Sequence, residues 1–436
     1  MQQNTTVKVL RKTQSVCPVC LEVISASIIE KNGSIYMEKS CLVHGKFLIV
    51  ISRNAGNYKE LNEFYSYFMP KAIQQEEYYL CATTQCNAGC PICYLRQCRY
   101  STSGLSLNQV SKFSNIKNIK RLTFSHGEAT TNGNLVEMIK ILKRAHKIIN
   151  IHTNGIKTSD FQYALELKAA GLNHVSIQFD GFNEKTYKEL RGSELLKTKL
   201  QALNNFKKLK IPVTLNVTIA KGINEDEIGR IFDYAVSERF IKDISFITYS
   251  NYEPKQDSMN KYIMPEELLK YIERHSKSII SQQEIILFQK LFYAYMSVFR
   301  KRKCFNYYHF LIVRTSKSYL PVSEFINLER VVSKLDYIKN KKKKLTLSTF
   351  LIILFCSLKI KSLSLFPLGV SIFFRGGYPM KPSIFLAITF ATICDPYKYY
   401  SQIANNCGQG IITNENIYES YGTFLTEEIR KYRQNQ

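Results

Sequence analysis

Three cysteines crowd into CNAGCPICY (86–94): Cys86, Cys90 and Cys93 stand in C-x3-C-x2-C spacing, with no fourth sulfur or imidazole inside the motif. Thiolates are soft donors that suit zinc and iron–sulfur clusters, and a three-thiolate set leaves one coordination position for something else. A second set lies upstream, in CPVC (17–20) and CLVH (41–44). C-x2-C followed by C-x2-H at this separation is close to zinc-ribbon or rubredoxin-like spacing, each knuckle aiming two ligands at one tetrahedral ion. Cys17, Cys20, Cys41 and His44 would close that site around zinc or iron, replacing a core too small to fold alone. A zinc reading of the triplet would need a further ligand, Cys98 or His126. Cys98 reads instead as a reduced bystander, and Cys81 as a small buried hydrophobe.

Elements that could position the triplet run from about residue 76 to 255. Apolar, β-branched runs recur at 78–84, 121–128, 148–155, 174–181, 212–222 and 243–250. Between them, 134–147, 161–171, 193–210 and 224–238 carry apolar residues at helical spacing. Six such β/α repeats predict an α/β fold, a partial (β/α)6 TIM-like barrel with helices outside. SHGE, HTNG and QFDG fall at strand C-termini, the edge where parallel barrels assemble their sites. The triplet follows the first strand on that same edge. The chain divides into a metal-knuckle module (1–75), the core barrel (76–255) and a helical connector with an α+β C-terminal region (256–436). Within the last, 256–300 reads as helical and 304–325 as a hairpin.

At 436 residues the chain can bury a sizeable core. Its 12 cysteines fall largely in clusters, which points to metal thiolate chemistry in a reducing compartment and away from a secreted disulfide scaffold. Lys and Arg number 60 against 35 Asp and Glu, a formal charge of +25 that suits anionic partners. RNA would fit that charge, but no RNA-binding signature accompanies it. The N-terminus has no apolar run of signal-peptide type, so a cytoplasmic location is expected. One apolar stretch, 345–358, follows KNKKKK (339–344). It is shorter than the roughly 20 residues a spanning helix needs, so it reads as a buried helix or as one lying on a membrane surface.

A C-x3-C-x2-C loop after the first barrel strand, with Gly127-Glu128 after the second, resembles the radical S-adenosylmethionine superfamily. The resemblance implies a 4Fe-4S cluster on Cys86, Cys90 and Cys93, the fourth iron being left for the amino and carboxylate groups of S-adenosylmethionine. SHGEAT (125–130) is similar to the family's GGE segment, with His126 in place of its first glycine; Gly127 and Glu128 would bind the methionine amino group. Asn154 would face the ribose or methionine, Gln178 and Asp180 end strand four, and Arg191 stands where relatives bind the cofactor carboxylate. Val217 and Ile219 match the segment lying against adenine. Many relatives carry an aromatic residue before the third cysteine; here Ile92 precedes it and Tyr94 follows.

Within the superfamily, the knuckles ahead of CNAGCPICY, with QFDGF, TYKELRG and DPYKY, look like the tetraether lipid synthase and dihydropterin methyltransferase family. That likeness implies reductive cleavage of S-adenosylmethionine to a 5'-deoxyadenosyl radical, which abstracts hydrogen from an unactivated C–H bond. The substrate would be a lipid chain joined to another through carbon, or alternatively a pterin or RNA that is methylated or otherwise modified. A metal-binding relative without catalysis is the reading from another class. Cys304, Cys394 and Cys407 would supply an auxiliary cluster, a one-electron reductant of ferredoxin or flavodoxin type is implied, and 345–358 offers contact with lipid or a membrane periphery.

Overall fold

The computed structural model describes residues 7–69, 76–93, 104–117, 119–250, 261–301, 305, 307–315, 318–359, 384–392, 410–412 and 417–418. Tyr94, Cys98, Cys304, Cys394 and Cys407 lie outside these, and so do the fourth-ligand reading of Cys98 and the auxiliary-cluster reading of the other three.

The N-terminal sheet is an antiparallel meander of β1 (Lys8–Val16), β2 (Val23–Lys31), β3 (Ser34–Cys41) and β4 (Gly45–Ser52). Because β1 and β3 point the same way, the turns after them meet at one end of the sheet, and those turns carry the two knuckles. Asn54 caps the next helix, α1 (Ala55–Phe68), its side chain accepting from the amide of Asn57 at 2.9 Å.

The parallel sheet begins with β5 (Glu77–Cys81) and continues in chain order through β6 (Arg121–Ser125), β7 (Ile148–Thr153), β8 (His174–Gln178), β9 (Val213–Ile219) and β10 (Ile241–Thr248). Helices α2 (Leu107–Ser114), α3 (Leu135–Arg144), α4 (Phe161–Ala170), α5 (Glu184–Arg191), α6 (Leu196–Lys208) and α7 (Ile228–Ser237) fill the connections. The six expected strands are all present. Val175, Ile177, Val213, Leu215, Val217, Ile219, Ile244 and Phe246 are fully buried in one core with the helices, as doubly covered parallel strands require.

C-terminal to these come α8 (Pro265–His275), α9 (Gln282–Val298), β11 (Tyr307–Arg314), β12 (Tyr319–Pro321), α10 (Leu328–Asn340), α11 (Leu347–Phe355), β13 (Phe385–Thr392), β14 (Gly410–Ile412) and β15 (Ile417–Tyr418). The hairpin expected at 304–325 forms as β11 and β12. What the repeats did not foretell is that β13 pairs parallel with β10 and β14 parallel with β5, making eight parallel strands in succession among the described residues. An open six-stranded sheet leaves two edges with unpaired backbone groups, and these late strands cover both. Helix α9 packs on α1, with Tyr65 and Tyr293 ring centroids 5.1 Å apart and Lys290 paired with Glu60. The apolar stretch forms α11, which exposes Leu351, Ile352 and Phe355. No helix among the described residues is long and apolar enough to cross a membrane.

Candidate functional site

The loop leaving β5 carries the triplet, with Cys86 exposed and Cys90 and Cys93 half-buried, none in a disulfide. The amide of Ala88 lies 3.4 Å from Cys86 Sγ, and Cys93 N–H donates to Cys90 O at 3.2 Å. Their three sulfurs are not gathered within 4.8 Å of one another, as the four ligand atoms of the ribbon are. Three soft thiolates on one loop suit three corners of an iron–sulfur cluster, whereas zinc would need a further ligand. Although the residue is exposed, partial burial of its sulfur pushes the Cys86 thiol up, the amide of Ala88 works against this, and the charges of Glu128, Cys90 and Cys93 add to the rise.

Behind the loop stands the turn after β6. The amide of Glu128 donates to Gln85 O at 2.7 Å, tying that turn to the residue before Cys86. Gly127 has φ +52°, and a Cβ there would sit 2.4 Å from Gln85 O and 2.5 Å from Thr83 O, so only glycine fits. His126 adopts φ +74° with its ring buried, and burial pushes that ring down to about 3. Glu128 is itself buried. Its Oε1 accepts from the hydroxyls of Thr130 and Thr153 at 2.6 and 2.7 Å, and Oε2 accepts from the amide of Asn154 at 2.6 Å. Oε2 keeps room for one more donor.

Asn154 is the hub of the site. Its Nδ2 donates to Asn87 Oδ1 at 2.7 Å and lies 3.8 Å from Cys86 Sγ, so this residue at the end of β7 touches the triplet loop directly.

At the end of β8, Asp180 is fully buried and holds Arg191 in a two-pronged pair, Nε to Oδ2 at 2.7 Å and Nη2 to Oδ1 at 2.9 Å. The amide of Thr218 (3.0 Å) and the side chain of Gln178 complete its acceptor capacity. Asp180 therefore anchors Arg191 and has nothing left for a cofactor. Burial works against the Arg191 charge, but Asp180 outweighs it and holds the guanidinium more firmly protonated; Cys90 adds to that. Gly192, at φ +76° after α5, brings that helix end against the triplet loop, where an added Cβ would lie 3.2 Å from Gly89 O.

Gly127, Glu128 and Asn154 meet the triplet loop, Arg191 lies beside Cys90, and Asp180 and Gln178 stand behind Arg191 and Lys199. Val217 and Ile219 do not face the triplet: both are fully buried in the helix-side core, while their neighbour Thr218 turns to the site and accepts from Arg191 at 3.0 Å. Lys199 was missed. It is fully buried on α6 and donates to Asn154 O and, at 2.5 Å, to Gln178 Oε1. The available signal was its place in the apolar stripe with Ala202, Leu203 and Phe206, where a charge has no business unless paired.

In the ribbon, Cys17, Cys20, Cys41 and His44 bring their ligand atoms within 4.8 Å of one another, the donor set of one tetrahedral ion. The knuckle amide of His44, its ring and the amide of Val43 lower the Cys41 thiol to about 6, whereas burial pushes Cys20 up to about 11.

Residues 80–235 match the radical SAM superfamily, and residues 9–53 match the HMPTM N-terminal zinc ribbon domain. The 7,8-dihydro-6-hydroxymethylpterin dimethyltransferase of Methanocaldococcus jannaschii is 28% identical over 312 residues, 63% of this chain and 60% of its own. A probable GTP 3',8-cyclase of Pyrococcus abyssi is 30% identical over 156 residues, 35% of this chain and 50% of its own. The chain thus spans between half and three-fifths of these relatives. Streptococcus suis SuiB bound to S-adenosylmethionine aligns over 49% of each chain, at 16% identity and a TM-score of 0.40. Two separate matches in the order ribbon then barrel, on the two cysteine sets just described, show that this chain carries a radical SAM domain behind an N-terminal zinc ribbon.

Proposed function

We propose that the chain is a radical SAM enzyme acting on a small polar heterocycle of pterin type, which it methylates. The carrying observation is the face of the sheet turned away from the helices. Register puts Thr123 beside Asn150, His152 beside Ser176, Ser176 beside Thr214 and Gln178 beside Asn216. Their alternates are the buried aliphatic residues, so this face is polar from β6 to β9. A flat heterocycle with N–H and carbonyl edges can exchange hydrogen bonds with such groups, whereas a lipid chain offers them only apolar contact. The pterin dimethyltransferase likeness supports the same substrate class, and neither relative named above joins lipid chains by its name.

Cys86, Cys90 and Cys93 would hold the 4Fe-4S cluster, with S-adenosylmethionine beside Glu128, Asn154 and Arg191; when bound, the pair supplies a carbon radical that takes hydrogen from an unactivated C–H bond. The chain's own part is positioning. Asn154 links cluster loop and cofactor side, Asp180 fixes Arg191, and Glu128 offers its remaining acceptor site to an ammonium. Cys17, Cys20, Cys41 and His44 would hold zinc as a structural ion. A ferredoxin or flavodoxin would supply the electron. The test is deuterium transfer into 5'-deoxyadenosine from labelled dihydropterin, lipid and RNA under dithionite. Label from the pterin alone supports the reading; label from lipid or RNA replaces the substrate, and no 5'-deoxyadenosine at all leaves a non-catalytic metal protein.

A further inference from the structure

Lys199 has no role in the site as the sequence motifs draw it, yet it sits at the centre. Asn154 is gripped at both ends of its own residue: its N–H donates to the Glu128 carboxylate at 2.6 Å, and its carbonyl accepts from the Lys199 ammonium. The same ammonium holds Gln178 Oε1 at 2.5 Å, so one charge ties the ends of β7 and β8 together. Helix α6 clamps the loop after β7 a second time, Asn205 donating to Thr158 O and Ser159 O at 3.1 and 2.8 Å. Arg191 and Asp180 neutralise each other. Of the buried charged side chains that bond Asn154 among the described residues, Glu128 is the anion and Lys199 the cation, its ammonium pushed down to about 8 chiefly by burial while Asp180, Glu128 and Cys90 hold it up.

We propose that Lys199 is a positioning residue of the radical site, fixing Asn154 against the Cys86 loop and offsetting Glu128 so that the thiolate-bound cluster can accept an electron. This rests on the reading that Cys86, Cys90 and Cys93 hold the cluster. A buried anion left without its compensating cation raises the cost of adding negative charge nearby. The chemistry of the position also separates two contributions: a neutral donor could keep the geometry without the charge, and a second neutralisation could restore the charge balance without the geometry.

The experiment uses full-length protein reconstituted anaerobically with iron and sulfide, comparing the wild type with Lys199→Met, Lys199→Gln, Lys199→Arg and the Lys199→Met, Glu128→Gln double variant. Cluster midpoint potential is read by titration with spectroscopic detection, and S-adenosylmethionine affinity by its perturbation of the reduced cluster's resonance spectrum. Lys199→Met should lower the potential and weaken S-adenosylmethionine about tenfold, the worth of one charge-assisted hydrogen bond. Lys199→Gln should recover affinity but not potential; the double variant should recover potential but not affinity. Lys199→Arg should hold the wild-type potential. Wild-type affinity and potential in iron-loaded Lys199→Met overturns the proposal. So does a set in which every Lys199 variant fails to load iron while the wild type loads, since Lys199 would then serve folding alone. A wild type that takes no iron at the triplet overturns the underlying reading instead.

Discussion

Two cysteine sites in one chain solve opposite problems. In the ribbon, donors arrive from two turns at the same end of a small sheet, and four ligand atoms close within 4.8 Å. In the barrel, three donors share one loop and leave Cys86 exposed, with Cys90 and Cys93 half-buried. Both use the same local device, an amide two residues on that lies 3.4 Å from the first sulfur, Val19 on Cys17 and Ala88 on Cys86. The difference lies in what surrounds the sulfurs. The ribbon site is complete in its own ligands, so metal binding there is folding free energy. The triplet is completed by other strands: Gly127 and Glu128 from β6, Asn154 from β7, Asp180 and Arg191 after β8. A closed site is built by its donors and an open one by its scaffold.

The largest break in that comparison comes from exchanging losses. Cys90→Ala should abolish iron at the triplet and cut 5'-deoxyadenosine release by at least about 100-fold, while zinc stays at one per chain. Cys20→Ala should do the reverse to the metals, as elemental analysis of both variants will show. Equal loss of both metals in either variant would mean that the two sites are not independent.

The next effect separates the sites by acid. Cys41, held down to about 6 against an ordinary 9, favours its thiolate in the fold. That contribution is in place at high pH and is lost as pH falls through about 6, while Cys20, pushed up by burial, works the other way, so zinc released to a chromogenic chelator should rise on acidification. A chelator that draws no more zinc on acidification than at neutral pH would contradict the assigned ligand set.

How much of this was legible follows from the same contrast. Both cysteine sets could be read directly, since spacing within a turn is local. The six strands were also legible, because period and turn chemistry repeat along the chain, and the polar residues read at their ends, Glu128, Asn154, Asp180 and Arg191, are joined by hydrogen bonds there. The two added parallel strands were not: β13 and β14 are chosen by the edges they cover, a long-range fact with no local pattern. Val217 and Ile219, matched to the segment that lies against adenine, fall in the buried core, and alternation turns Thr218 to Arg191. Lys199 escaped because a lysine in an amphipathic helix is ordinarily at its solvent face.

Of middling size is the scaffold's own anchor. Asp180→Asn keeps the shape but leaves Arg191 buried beside a neutral amide. Breaking a buried pair by one partner costs about 3–5 kcal/mol, so the barrel's thermal transition should fall by several degrees while the ribbon's zinc is retained. An unchanged transition would show that Arg191 finds another partner on removal of the charge.

The smallest effect concerns the polar face itself and tells whether the barrel has an acid response of its own. His152 points to that face, with Nδ1 3.2 Å from Ser125 Oγ and its ring 5.3 Å from that of Tyr79. Burial pushes it down to about 4 from an ordinary 6.5. The fold therefore keeps the ring neutral while the unfolded chain takes up a proton below 6.5. The stability due to the neutral ring is fully present above 6.5 and drains away as pH falls toward 4, by roughly 3 kcal/mol at one pKa unit per 1.36 kcal/mol. His152→Gln retains a side-chain hydrogen-bonding group but does not titrate, so its denaturant midpoint should fall only about half as steeply as the wild type's between pH 6.5 and 4, the rest coming from His126, while zinc release from the ribbon stays where it was. A His152→Gln profile as steep as the wild type would move the barrel's acid sensitivity to another group, His126 first, whose ring is held lower still.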